Sequence, residues 1–126
     1  MIAYLDTNAV IRLAQASSRH LGREVSGLIE RAELLISPVV LLELELLFEI
    51  KRIKLPSRDM QRKIEAELGV RVCSLAFAEI ANAALDEKWT RDPFDRLIVA
   101  NAKANGFAPL ISADEKIAKH YPRTVW

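Results

Sequence analysis

Four carboxylates of this chain stand where an acid is either costly or aimed at a cleft. Asp6 directly follows the apolar run Ile2–Leu5, and Asp114 comes just after Leu110-Ile111-Ser112. Glu43 has Val39, Val40, Leu46 and Leu47 as its i±3 and i±4 neighbours, and Asp95 is followed at i+3 and i+4 by Ile98 and Val99. An ionised carboxylate centred on an apolar helix face is costly unless it is paired or bound to a cation. Each acid also has an ordinary explanation. Asp6 can cap a helix after a strand. Glu43 can meet a basic side chain. Asp95 can sit favourably on a helix dipole, and Asp114 can occupy the first turn of a capped helix. Asp92 reads as a plain N-cap, while Glu45 and Glu49, four apart, read as solvated charge.

Gathered at one place, such acids could not all stay ionised without a cation, because like charges raise one another's pKa. An all-oxygen donor set suits Mg²⁺ or Mn²⁺ and disfavours Zn²⁺. The nitrogen and sulfur donors are only His20, His120 and Cys73, at no ligand spacing. Bound Mg²⁺ or Mn²⁺ would activate a water and neutralise charge developing on a phosphoryl oxygen. No Gly-rich phosphate loop, nucleophile elbow or HExxH motif supports a different chemistry. Cys73, alone in an apolar strand, reads as core.

The elements that must position these acids are legible from periodicity and caps. Ile2–Leu5, Leu34–Ile36, Val70–Cys73 and Leu110–Ile111 read as buried strands, with a fifth over Thr124–Trp126. Leu21, Val25, Leu28, Ile29 and Ala32 lie on one helical face. Ser37-Pro38 opens a helix to about Lys51, and Ser57 caps another that Gly69 ends. Ser74 caps a helix to about Glu87, Asp92-Pro93 opens one closed by Gly106, and Ser112-x-x-Glu115 forms a capping box. Apolar strands separated by helices predict a parallel sheet covered on both faces, a three-layer α/β/α sandwich. Ligands of such folds bind beyond the carboxyl ends of the strands, where Asp6 and Asp114 fall.

The 126 residues fit one domain, 1–126, large enough for its own core. Hydrophobic residues at 51% and charged residues at 28% exclude a disordered or collagen-like chain. A single cysteine excludes an internal disulfide framework and leads us to expect a cytoplasmic protein. No apolar run approaches membrane-span length, and Asp6, with no basic stretch before it, speaks against a secretory leader. A net charge of +1 excludes an electrostatic blanket for nucleic acid.

The order and spacing of Leu5-Asp6-Thr7-Asn8, Ser37-Pro-Val-Val-Leu-Leu-Glu43-Leu44, Asp92-Pro-Phe-Asp95-Arg-Leu-Ile and Ile111-Ser112-Ala-Asp114 resemble the PIN-domain ribonucleases, most closely VapC-type toxins of type II toxin–antitoxin systems. The resemblance spans nearly the whole chain. It implies a five-stranded parallel sheet of order 3-2-1-4-5, with Asp6, Glu43, Asp95 and Asp114 as catalytic, metal-holding acids. It also implies Asn8 and Ser112, with Thr7 and Asp92 as further candidates, as supports of those carboxylates. The implied cofactor is Mg²⁺ or Mn²⁺. The implied reaction is endonucleolytic RNA hydrolysis leaving 5′-phosphate and 3′-hydroxyl ends, and the implied partners are RNA, a cognate antitoxin and a second copy in a homodimer. Many relatives carry Thr where this chain has Ser112. The acid that some have two positions after Asp114 is Lys116 here, which leaves a second metal in doubt.

Two basic tracts would flank such a pocket. Lys51–Lys63 holds six basic residues against one acid, and Lys116, Lys119, His120 and Arg123 follow Asp114. Arg52, Lys54, Arg58, Arg96, Lys116 and Lys119 are the candidate RNA contacts, although solvated helix faces would look the same. With aromatics at 6%, no base-stacking platform is expected. The apolar Leu41, Leu42, Leu44, Phe48 and Ile50 serve the core, a homodimer or an antitoxin. Two other readings stay open: an RNA-processing nuclease of the same fold, and a non-catalytic module whose acids bind a partner's arginines.

Overall fold

The computed structural model describes residues 1–15 and 21–126; His20 lies outside them. Strand β1 (Ile2–Leu5) leads into helix α1 (Thr7–Gln15). Helix α2 (Arg23–Arg31), strand β2 (Glu33–Ile36), helix α3 (Pro38–Glu49), helix α4 (Ser57–Leu68) and strand β3 (Arg71–Val72) follow. Helices α5 (Phe77–Ala84) and α6 (Pro93–Ala104), strand β4 (Leu110–Ile111), helix α7 (Glu115–His120) and strand β5 (Thr124–Val125) complete the chain.

All strand pairs are parallel, and the sheet order is β3-β2-β1-β4-β5. The strands are short and apolar because both faces are covered: Ala3, Tyr4, Leu5, Leu34, Ile36, Leu110 and Ile111 are all buried. Chain progression reverses direction after β3. Right-handed crossovers therefore place α1–α4 on one face and α5–α7 on the other, giving the expected three layers. Packing of α1 and α3 on α4, and of α5 on α6, agrees with that division, while α3 also meets α6 across it.

Register fixes what emerges at the carboxyl edge. Leu5 is level with Ile36 and Ile111, Ile36 with Val72, and Ile111 with Val125. The next residue of each strand, Asp6, Ser37, Cys73, Ser112 and Trp126, therefore forms one row along that edge. Backbone bonds hold the row: Asp6 N–H donates to Ile111 O at 3.2 Å, and Ser112 N–H to Val125 O at 3.0 Å.

Helix starts follow the sequence signals in part. Ser37 accepts the Val39 N–H at 3.4 Å, with Pro38 in the first turn. Asp92 accepts the Phe94 and Asp95 N–H groups at 2.9 and 3.4 Å. Gly69 ends α4 at φ 69°, the left-handed cap that glycine adopts at little cost. Ser57, however, is not a cap. Its hydroxyl donates to Leu41 O at 2.6 Å and its N–H to Glu45 Oε1 at 3.0 Å, so contact with α3 replaces the local bond. Ser74 does not cap α5 either. The Cys73 sulfur accepts the Leu75 N–H at 3.4 Å and delays the helix to Phe77. That helix stops at Ala84, short of the expected Glu87. Glu87 is buried against the Trp89 indole N–H and the Lys103 ammonium.

Cys73 packs as core. Its sulfur accepts from the Tyr4 hydroxyl at 3.0 Å, and the Asn101 and Asn105 amides donate to Tyr4 Oη at 3.1 and 2.8 Å. This network ties β1 and the end of β3 to α6.

Candidate functional site

Strand order reverses between β1 and β4, so helices leave the sheet in opposite directions there and open a crevice. Asp6 and Ser112 sit at its floor. Asp6 is buried, yet every oxygen has a partner. Oδ1 accepts the Ala9 N–H at 2.8 Å, and Oδ2 accepts the Ser112 hydroxyl. Asp6 thus caps α1 and faces the crevice at once; the two readings of this residue are compatible. Burial raises its pKa, the Ser112 and Ala9 bonds oppose the rise, Asp114 adds to it and Arg12 lowers it.

Ser112 does not form the expected capping box with Glu115. Its hydroxyl turns to Asp6 and accepts the Asp114 N–H at 3.1 Å. Asp114 itself caps α7, accepting the Lys116 and Ile117 N–H groups at 2.8 and 3.1 Å. A buried carboxylate one strand away outcompetes a local helix bond for the serine, because an unpartnered buried acid is the costlier loss.

Glu43 reaches the crevice from α3, half-buried, and its Oε1 accepts the hydroxyl of buried Thr7. Burial raises its pKa against that bond, and the Asp92 and Asp6 charges add to the rise. Asp95, in the first turn of α6, is pushed up to about 7 by burial first, then by the charges of Asp92, Asp114, Glu43 and Asp6. Asp6, Glu43, Asp92, Asp95 and Asp114 therefore feel one another electrostatically. Among the described residues none of these acids forms an ion pair with a lysine or arginine. The basic partner that would have explained Glu43 blandly is not found among the described residues.

Asn8 is exposed on α1 and makes no side-chain hydrogen bond to another described residue; the side-chain bonds to these carboxylates come from Thr7 and Ser112. Arg96 donates from Nε to Thr90 O at 2.7 Å, bracing the loop before α6. Arg58 and Arg62 line a cleft of about 610 Å³ with Pro38, Leu41, Leu42 and Glu45. Arg62 pairs with Asp59 and Lys63 with Glu67, which neutralises part of the first basic tract within its own helix. Arg52, Lys54, Lys116 and Lys119 are exposed. The cation whose field reaches Asp6 is Arg12, which the sequence patterns did not single out. A lone arginine on a helix that reads as packing carries no sequence signal.

Among the described residues no group of three or more His, Cys, Asp and Glu side chains is arranged so that it could hold a metal ion as it stands. The donor chemistry nevertheless fits a hard divalent cation: the candidate donors are all carboxylate oxygens, and their charges add to the burial that raises Asp95. The fit is one of charge and donor type and not of a preformed cage.

Among curated proteins none matches the chain. Solved structures do. A toxin–antitoxin complex from Klebsiella pneumoniae contains a chain similar over 98% of this one and 96% of its own length, at 22% identity and a TM-score of 0.65. VapBC2 from Rickettsia felis, bound to a DNA fragment from its promoter, matches over 99% and 96% at 21% identity and a TM-score of 0.61. Both likenesses are of fold. The profile of the PIN domain matches residues 3–121, and the chain belongs to the PIN domain family.

Proposed function

We propose that this chain is a metal-dependent endoribonuclease and the toxin of a type II toxin–antitoxin pair, acting as a single PIN unit in the cytoplasm. The observation that carries the reading is a crevice of five acids that form no ion pair among the described residues, one of them lifted to about 7 by burial and then by the charges of the others. Such a crevice is costly unless it serves a cation. Asp6, Glu43, Asp95 and Asp114 would hold Mg²⁺ or Mn²⁺. When bound, such an ion supplies a lowered pKa for a water and neutralises charge on a phosphoryl oxygen.

The chain's own residues do the positioning. The Ser112 hydroxyl and Ala9 N–H keep Asp6 aimed from the floor of the crevice, and Thr7 orients Glu43 from α1. Asp92 fixes the first turn of α6, and so the direction of Asp95. Lys116 and Lys119 on α7, exposed beside Asp114, are suited to flanking phosphates.

Both similar structures are toxin–antitoxin complexes, which supports an antitoxin partner. Leu42 and Leu46 on α3 and Ile50 just after it, at 57%, 42% and 63% exposure, supply apolar surface for that partner or for a homodimer. Among the described residues no helix is long and apolar enough to cross a membrane.

The open arrangement of the acids favours one second reading, a PIN-fold module whose carboxylates take up a partner's arginines without catalysis. Incubating purified protein with Mg²⁺ or Mn²⁺ on single-stranded and structured RNA separates the two. The nuclease cleaves, and loses cleavage in Asp6→Asn and Asp95→Asn. Cleavage that persists in both variants overturns the site assignment.

A further inference from the structure

The carboxyl-edge row ends in an exposed aromatic. Trp126 directly follows Val125, which is level with Ile111, so its backbone is level with Ser112 and with Asp6. Adjacent strands are spaced about 4.8 Å apart, so Trp126 stands two strands and about 10 Å from Asp6 along the crevice edge. The residue is 44% exposed, and its indole N–H has no hydrogen-bond partner among the described residues. The contrast is Trp89, half-buried, stacked on His120 at 5.1 Å and tied by Nε1 to Glu87 at 2.7 Å.

The Trp126 backbone lies against Gly22, and its ring has one charged neighbour among the described residues. The Arg12 guanidinium carbon lies 5.2 Å from the indole centroid, a cation–π contact. Arg12 is itself exposed on α1, and its charge is the one that lowers the pKa of Asp6. The pair thus puts a flat π-surface and a fixed positive charge on the rim of an acidic crevice. An acidic crevice repels a polyanion, so a substrate strand needs a purchase beside it. An exposed indole offers one that any nucleobase can use, and a guanidinium beside it suits the adjoining phosphate. A duplex hides its base faces and could not use the ring.

We propose that Trp126 and Arg12 form a binding platform on which an unpaired nucleobase of single-stranded RNA stacks, next to the acids that act on its backbone. The inference rests on the ribonuclease reading and narrows it to substrates with an unpaired base near the scissile bond.

The test uses the full chain, a single-stranded oligoribonucleotide and the same strand annealed to its complement, with Mn²⁺. Trp126→Ala is expected to raise KM for the single strand roughly 5- to 150-fold, the range of one lost base stack, with kcat retained. Trp126→Phe should recover much of that loss. Arg12→Gln should reduce the dependence of binding on log salt by about one phosphate contact, roughly 0.7 for a single strand. The annealed strand should show no dependence on Trp126. In a Trp89→Phe background, the emission of Trp126 should change when RNA is added without metal.

If the parent cleaves while Trp126→Ala keeps its KM and the indole emission ignores RNA, the platform is overturned and the ribonuclease reading stands. If the parent neither cleaves nor binds RNA, both fall. A lowered melting temperature in Trp126→Ala with unchanged KM assigns the Arg12 contact to pinning β5 on α1, and also overturns the proposal.

Discussion

Ser112 donates its hydroxyl to Asp6 across 106 positions of sequence, while the other Asp6 oxygen caps α1. The carboxylate is therefore fixed at both ends by groups from different elements. Ser112→Ala should unfix it. We expect a stability loss of about 1–3 kcal/mol for a buried acceptor left short of a donor. Mn²⁺ affinity should fall about 10- to 100-fold, as when other supports of ligating groups are removed. Ser112→Thr keeps the hydroxyl and should keep both. Urea melts and a Mn²⁺ titration followed by calorimetry read the two effects separately.

Glu43 tests whether repulsion or pairing governs the crevice. Its pKa is raised mainly by burial, with Asp92 and Asp6 adding to the rise. Glu43→Gln removes a charge and keeps an oxygen for the Thr7 hydroxyl. The metal-free protein should become more stable, and Mn²⁺ binding should weaken. A Glu43→Gln protein that melts lower without metal would mean that Glu43 holds the fold together as an ionised partner.

Asp95 gives the metal-free protein an unusual pH dependence. Its carboxyl titrates at about 7 in the fold, against an ordinary 3.8. Between those values the folded chain keeps a proton that the unfolded chain has released. Stability from this group therefore falls as pH rises through that window, and is greatest on the acid side. Most proteins lose stability toward acid through their carboxylates, so the difference between parent and Asp95→Asn isolates the effect. The variant should show a flatter decline between about pH 4 and pH 7. Added Mn²⁺ should stabilise the parent more at pH 8 than at pH 5.5, because only the ionised acids bind it. Denaturant melts at matched ionic strength measure all three.

Much of the frame was legible because short apolar strands, proline after a cap and glycine after a helix are local signals. β1, the Ser37-Pro38 and Asp92-Pro93 starts and the Gly69 stop all follow from them, while the sheet order comes from the family resemblance. What failed was the assignment of hydroxyls. Ser57, Ser74 and Ser112 all precede or open helices, yet none caps one, because Leu41, Cys73 and Asp6 determine the local bonding instead. Those partners are set by packing between elements, which no window of sequence contains. The acids are legible one by one from their apolar neighbours or their place after a strand, whereas a supporting role for Asn8 comes only from the family pattern. Trp126 and Arg12 were illegible for the same reason as the serines: only strand register brings β5 level with β1.

Asp92 both caps α6 and charges the crevice, and the two roles separate by substitution. Its Oδ1 accepts two backbone N–H groups, while its charge raises Asp95 and Glu43. Asparagine caps a helix about as well as aspartate, whereas alanine costs about 1 kcal/mol. Asp92→Asn should therefore fold as stably as the parent or better, and Asp92→Ala should lose the cap. Removing the charge should also lower the pKa of Asp95 toward its ordinary value, so the pH slope of metal-free stability shrinks in Asp92→Asn without vanishing. Asp92 is exposed where Asp6, Glu43, Asp95 and Asp114 are buried or half-buried, so Mn²⁺ affinity should drop only a few-fold in Asp92→Asn, against tenfold or more in Asp95→Asn. Equal losses in the two variants would make Asp92 a ligand in its own right, and the helix cap would then be the secondary role.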